Sequence, residues 1–210
     1  MLVKAIAVGD YQSNAYIVSA SKGGEAVLID PGDEAGRLVK ALEGFTVRAI
    51  VLTHGHVDHI GAVEEVRRSI GEADFIVGRE DVGMIESPVK NLSALMGQFI
   101  RLKGATRAVQ DGDEIAAGPL VLRVLATPGH TPGGISLYAA DDGTGRGAVF
   151  TGDTLFAGSI GRTDFPGGDM ETLLESIRTK LLTLPQDTVV WPGHGPSTTI
   201  GAEKRENPFL

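Results

Sequence analysis

The sequence predicts an α/β fold in which two β-sheets pack together with helices on their outer faces. Strand-length apolar runs recur along the chain, and in each half the strands are followed by helical patterning; both features suit a layered two-sheet architecture. Every histidine lies in or beside a Gly/Pro loop directly after such a run, where layered folds place their sites. At 210 residues and 22.0 kDa the chain can fill one core. It shows no linker or composition break, so a single domain over residues 1–210 is expected.

Composition narrows the function classes. There are no cysteines, hence no disulfide framework and no thiolate ligand or nucleophile. Residues 1–5 lack the charged start and apolar run of a signal peptide, and no apolar run approaches the ~18 residues of a membrane span. A soluble, cytoplasmic protein with no membrane partner is expected. The net charge of −8 and pI near 5.1 speak against nucleic acid, which needs a basic footprint.

Taken in order, residues 2–8 and 14–19 read as strands around Gly9-Asp10, and 25–29 as a strand running into Asp30-Pro31-Gly32. Asp30 is either an acceptor that orients a ligand imidazole or a plain turn cap. Asp33 opens a helical pattern through Leu38, Val39 and Leu42 that Gly44 stops. A strand at 47–53 leads into a histidine-rich loop and a helix from about Ile60 to Ile70, with Glu64 and Glu65 early and Arg67 and Arg68 late, as the helix dipole favours. A short strand follows at 74–77. Leu92, Leu95, Met96, Phe99 and Ile100 then form one apolar helical stripe. That stripe reads as a core-facing helix, with a lid or dimer face over 84–104 as the sharper alternative. Asp111-Gly112-Asp113 reads as a turn, residues 119–126, 135–140 and 148–152 as strands, and 141–147 as a hairpin tip. Asp169 caps a helix to about Leu182, and a strand at 188–191 delivers His194.

The chemistry concentrates in Thr53-His54-Gly55-His56-Val57-Asp58-His59-Ile60-Gly61, which holds three of the 5 histidines. Imidazole nitrogens and carboxylate oxygens both bind borderline metals. Two-residue spacing puts His54 and His56 on one side of an extended chain, whereas Asp58 and His59 enter the turn and can point elsewhere. One short loop could therefore serve two neighbouring ions. The other histidines sit in Pro128-Gly129-His130 and Pro192-Gly193-His194-Gly195, and Asp153 ends a strand in Gly152-Asp153-Thr154. A lone Asp after Gly would ordinarily be a turn residue.

This ordered set, H-G-H-V-D-H, P-G-H, G-D-T and P-G-H-G, resembles the metallo-β-lactamase superfamily over essentially the whole chain. Through 152–156 and 161–165 the chain looks most like small glyoxalase II-like hydrolases. The resemblance implies a four-layer αββα sandwich. It also implies one metal site from His54, His56 and His130, a second from Asp58, His59 and His194, and Asp153 bridging them. Two divalent ions per chain are expected, zinc first, with iron or manganese as alternatives. True glyoxalase II enzymes carry a helical C-terminal extension that helps hold glutathione. Only residues 195–210 follow His194, so no such domain is expected.

Two such ions, offset by Asp58, Asp153 and a bridging hydroxide, leave a positive centre suited to an anionic small molecule. Metal coordination brings the pKa of bound water toward ~7, and Asp58 would also orient the hydroxide. With all histidines committed, no imidazole remains to protonate a leaving group, which favours a thiolate, of pKa about 8.5, over an amide nitrogen. The expected reaction is hydrolysis of a hydroxyacylglutathione-like thioester. Arg162 is either a clamp for a substrate carboxylate or a surface salt bridge; Phe156 and Phe165 either line the substrate pocket or pack in the core. Alternatives are an iron-dependent persulfide dioxygenase, a hydrolase of another ester or lactone, and a metal-stabilised binding protein. Monomer and homodimer stay open.

Overall fold

The computed structural model describes residues 1–140 and 146–210. The first half builds a sheet of six strands: β1 (Leu2–Val8), β2 (Ser13–Ser19), β3 (Glu25–Ile29), β4 (Thr46–Leu52), β5 (Asp74–Gly78) and β6 (Arg107–Val109), neighbours in that order. β1, β2 and β3 are antiparallel; β3 to β6 are parallel. Parallel neighbours need crossovers, here α1 (Ala35–Ala41) and the pair α2 (Val57–Ile60) and α3 (Val63–Ile70). The helical turn α4 (Val82–Ile85) follows β5.

The second sheet uses β7 (Glu114–Ala117), β8 (Leu120–Ala126), β9 (Ile135–Ala139) and β10 (Ala148–Gly152). A small hairpin of β11 (Leu155–Phe156) and β12 (Ser159–Ile160) stands apart from it. Helix α5 (Met170–Ser176) continues as a wider turn through Leu181; then come β13 (Val189–Pro192), β14 (Thr198–Thr199) and α6 (Ile200–Glu206). The sheet order is β14-β13-β10-β9-β8-β7.

Strand alternation sorts the apolar side chains into three layers. In β4, Ile50 and Leu52 point outward to Leu38, Val63 and Val66 of the first helical layer. Ala49 and Val51 point inward to meet Leu122, Val124, Leu137 and Phe150 of the second sheet. Beyond that sheet, Val149 and Val190 pack on Leu173, Ile177, Leu181 and Ile200. Helix, sheet, sheet, helix is the αββα order expected. Among the described residues no helix is long and apolar enough to cross a membrane.

Three expectations change. The stripe at 92–100 is not a core-facing helix: only a single 3-10 turn forms, over Ser93–Met96. Leu95 and Phe99 are 73% and 76% exposed, and only Leu92 of that stripe is buried. Leu92 and Gly97 both adopt left-handed backbone (φ 67° and 70°). The buried Asn91 side chain accepts from Ser93 N and donates to Ile100 O, local bonds that compete with a helix. The helix expected at 60–70 is broken at Gly61–Ala62, because Ala62 N donates to Pro31 O (3.0 Å) rather than along a helix. Strands β6, β7 and β14 and helix α6 were not anticipated. The expected hairpin tip at 141–147 lies, for residues 141–145, outside the described residues.

Candidate metal centre

Each candidate side chain leaves the C-terminal end of a strand or the short helix that follows one. His54 and His56 follow β4, Asp58 and His59 lie in α2, His130 follows β8, Asp153 follows β10, and His194 follows β13. The two sheets thus deliver opposite halves of one cluster. His54, His56 and His130 offer ring nitrogens within 4.8 Å of one another, as do Asp58, His59 and His194 their donor atoms. Asp153 lies between the two sets, with Oδ1 3.4 Å from His59 Nε2 and Oδ2 3.7 Å and 3.6 Å from His130 and His194 Nε2. A third convergent set, Asp30, His54 and His59, overlaps both.

Hydrogen bonding assigns the tautomers. His59 Nδ1 faces Asp30 Oδ2 (3.0 Å), His130 Nδ1 faces the Arg162 carbonyl (2.7 Å), and His194 Nδ1 faces the Tyr11 carbonyl (3.1 Å). Oxygens of this kind only accept, so Nδ1 of each ring carries a hydrogen and Nε2 is the nitrogen turned toward the cluster, the one that coordinates in the neutral ring. Thr53 Oγ1 donates to Asp30 Oδ2 (2.6 Å), so at 3.2 Å it accepts from His54 Nδ1. His54 Nε2 therefore presents a lone pair, and among the described residues it is buried with no hydrogen-bond partner, as is Asp153 Oδ1. His56 Nδ1 meets His130 Nε2 at 2.9 Å. Converging lone pairs and carboxylate oxygens repel unless something positive lies among them. Unpartnered buried acceptors are rare and costly. The donor set fits borderline divalent cations.

Electrostatics agree. Burial, then the neighbouring imidazoles, pushes His56 down to about 3 and holds His54 well below the usual histidine range, so both are neutral, the form that coordinates. Burial acts against charge at His59 too, but the Asp58, Asp153 and Asp30 carboxylates outweigh it and push the pKa up to about 10. Burial would raise Asp58, yet the His59 and His194 imidazoles hold its carboxyl well below the ordinary carboxylate range. The field on the Asp58–His59–His194 side thus favours positive charge.

Some supporting residues carried no sequence signal. Asn14 and Tyr16, on β2, hold the His194 loop: Asn14 Nδ2 donates to Pro192 O and Gly195 O (3.0 Å each), and Tyr16 Oη to Pro192 O (2.6 Å). Asp30 stands at φ 48°, a conformation unusual for a non-glycine residue. Its carboxylate accepts from Thr53 N (2.7 Å), Thr53 Oγ1 and His59. Of the two readings of Asp30, it is the imidazole-orienting one that these contacts describe. A cleft of about 290 Å³ opens onto the cluster, lined also by Tyr11, Leu92, Met96, Arg162 and Phe165. A larger groove beside α5 (about 540 Å³) has no converging histidines. Phe165 is half-buried against His56, ring centroids 5.7 Å apart, and Phe156 against His194 at 6.2 Å. Arg162 forks onto Asp164 (2.7 Å twice) over the Phe165 ring, at the surface.

Close approach fixes one glycine. A Cβ on Gly193 would lie 2.2 Å from Asp153 Oδ1 and 2.9 Å from His59 Cε1. Gly193→Ala is expected to cost about 1–3 kcal/mol, the usual range for overpacking, and to weaken metal binding by displacing Asp153. A melting temperature equal to wild type would contradict this.

The profile of the metallo-beta-lactamase superfamily matches residues 8–194. The chain belongs to the metallo-beta-lactamase superfamily. Among its relatives, "Hydroxyacylglutathione hydrolase GloC" of Haemophilus influenzae is 38% identical over 216 residues, covering 100% of this chain and 98% of that protein. The solved BLEG-1 B3 metallo-beta-lactamase superposes with TM-score 0.91 at 40% identity, over 100% of this chain and 99% of its own. TTHA1623, solved in a di-iron-bound form, gives TM-score 0.85 at 39% identity over 99% and 100%. The chain is accordingly a metal-binding hydrolase of the metallo-beta-lactamase superfamily, a fold that binds divalent metals, and it carries a His/Asp cluster that could hold them.

Proposed function

We propose that this superfamily member is a dinuclear thioester hydrolase of glyoxalase II type, acting on a hydroxyacylglutathione-like small molecule. The observation that carries the reading is the set of inward-facing Nε2 atoms from His54, His59, His130 and His194, with Asp58 and Asp153 among them. His54, His56 and His130 would hold one divalent ion, Asp58, His59 and His194 the second, and Asp153 both; zinc, iron and manganese all suit these donors, and the di-iron neighbour supports iron. When bound, such ions polarise a carbonyl and make hydroxide available near neutral pH.

The chain's own residues then constrain the substrate. Four imidazoles point their N–H groups outward, to Thr53, Asp30, Arg162 and Tyr11. Asp58, held ionised by its neighbours, accepts a hydrogen bond from attacking water and does not donate a proton. None of these groups can therefore protonate a departing amide nitrogen, whereas a thiolate leaves unprotonated. The full-length likeness to a protein named as a hydroxyacylglutathione hydrolase supports the same choice. Phe156 and Phe165 supply apolar contact beside the reacting carbonyl.

S-D-lactoylglutathione is the test substrate, assayed with metal analysis of protein purified without added metal. Hydrolysis that tracks metal content is expected; absence of turnover in protein carrying two ions would remove the thioester reading. Arg162 would release Asp164 to take a substrate carboxylate. On that basis Arg162→Gln is expected to raise KM by roughly 3- to 10-fold with kcat little changed, the signature of lost uniform binding. An unchanged KM would return Arg162 to its surface pair.

A further inference from the structure

Asp81 is completely buried and lies on a short turn after β5, distant in sequence from every candidate ligand. Its Oδ2 accepts from Gly55 N (3.0 Å), the residue between His54 and His56, and from Thr131 Oγ1 (2.8 Å), the residue after His130. Its Oδ1 accepts from Gly133 N (2.7 Å). One carboxylate thus ties the β4 loop of the first sheet to the β8 loop of the second. The approach is tight: a Cβ on Gly133 would lie 2.2 Å from Asp81 N. Burying a carboxylate is expensive unless its oxygens are satisfied, and these three donors satisfy it. Just beyond this junction, His56 Nδ1 and His130 Nε2 stand 2.9 Å apart.

We propose that Asp81 is a positioning residue for the centre, setting the separation of the two histidine loops and thereby the affinity of the His54–His56–His130 set for its ion. The proposal rests on the metal-centre reading above. Asp81 touches neither substrate nor donor atoms; it acts through the backbone of Gly55 and Gly133 and the hydroxyl of Thr131. Asp30 contacts His59 of the other set directly and reaches His54 only through Thr53, whereas Asp81 alone joins the His54–His56 loop to the His130 loop. Removing the outer partners of metal ligands typically lowers metal affinity 10- to 100-fold.

The test is zinc titration of metal-free full-length protein against a chromophoric chelator, with melting of the metal-free forms alongside. Wild type is expected to bind two equivalents. Asp81→Asn, which faces an amide N–H₂ toward a donor, is expected to bind one equivalent as wild type does and the other 10- to 100-fold more weakly. Thr131→Val removes one of the three hydrogen bonds and should weaken the same equivalent to a smaller degree; it also keeps the test decisive if Asp81→Asn does not fold. In a His194→Ala background, where the His54–His56–His130 set is the intact one, Asp81→Asn or Thr131→Val should weaken the remaining ion by the same factor. If the metal-free melting temperature falls while both equivalents keep wild-type affinity, or weaken equally, Asp81 is only structural and the proposal is overturned. If wild type itself takes up no pair of ions, the metal-centre reading fails first.

Discussion

Asp58→Ala and His59→Ala are each expected to empty the second metal site and to slow thioester hydrolysis at least ~10²-fold, the scale seen when one electrostatic stabiliser of a transition state is lost. Asp58 Oδ2 lies 3.2 Å and 3.5 Å from His194 and His59 Nε2, so deleting either side chain dismantles the set. The two variants differ in side effects. His59→Ala leaves the Asp30 carboxylate, 1% exposed, with only its two Thr53 donors, and losing the imidazole partner of a buried charge is destabilising. Asp58 faces the cleft, with a side chain 19% exposed, so its loss leaves no comparable orphan. Agreement between the two in metal content and rate, at a temperature where both are folded, isolates the site. The pair also separates the hydrolase from an iron-dependent persulfide dioxygenase. That reading needs one iron on two imidazoles and a carboxylate, by position His54, His130 and Asp153. Full activity in both variants, with oxygen consumed by wild type given glutathione persulfide, would replace the hydrolase.

Chelation is expected to reduce activity to background, and zinc, manganese or iron to restore part of it, with close to two ions per chain at saturation. The metal-free cluster leaves His54 Nε2 and Asp153 Oδ1 buried without a hydrogen-bond partner among the described residues, so loading should also raise stability. Binding to the folded state alone contributes about 2.7 kcal/mol at a free concentration of 100 times Kd. For a chain of this size that corresponds to a melting shift of roughly 5–10 °C. A calorimetric scan with and without metal checks the shift. A fully active protein saturated by one ion would sink the dinuclear reading.

The local sequence carried the chemistry because metal ligands need particular atoms, and few residue types supply them. With all 5 histidines in strand-end loops or, for His59, in the short helix that follows one, the candidate donors could be read without knowing which loops meet. The strands around those loops were equally legible, since β4 ends in the apolar run Ala49–Leu52 and β10 begins with Ala148, Val149 and Phe150, and buried strands need such runs. Asp30 carried an ambiguous signal, and its contacts with Thr53 and His59 exist only in the folded chain.

What the sequence by itself determined is the two-sheet class, the strands that end in candidate ligands, and the residue types of those candidates. Tertiary structure decided the rest. Helical spacing at 92–100 yielded to the local bonds of Asn91, because isolated periodicity cannot show whether an apolar stripe has a partner surface. Asp81, Asn14 and Tyr16 were invisible for a related reason: each acts across large sequence separation, through backbone groups that any residue possesses. The short strands β6, β7 and β14 are pairing outcomes, fixed by the neighbours they meet rather than by their own few residues. Donor chemistry is local, whereas the distances that turn donors into a centre belong to the contact between the two sheets.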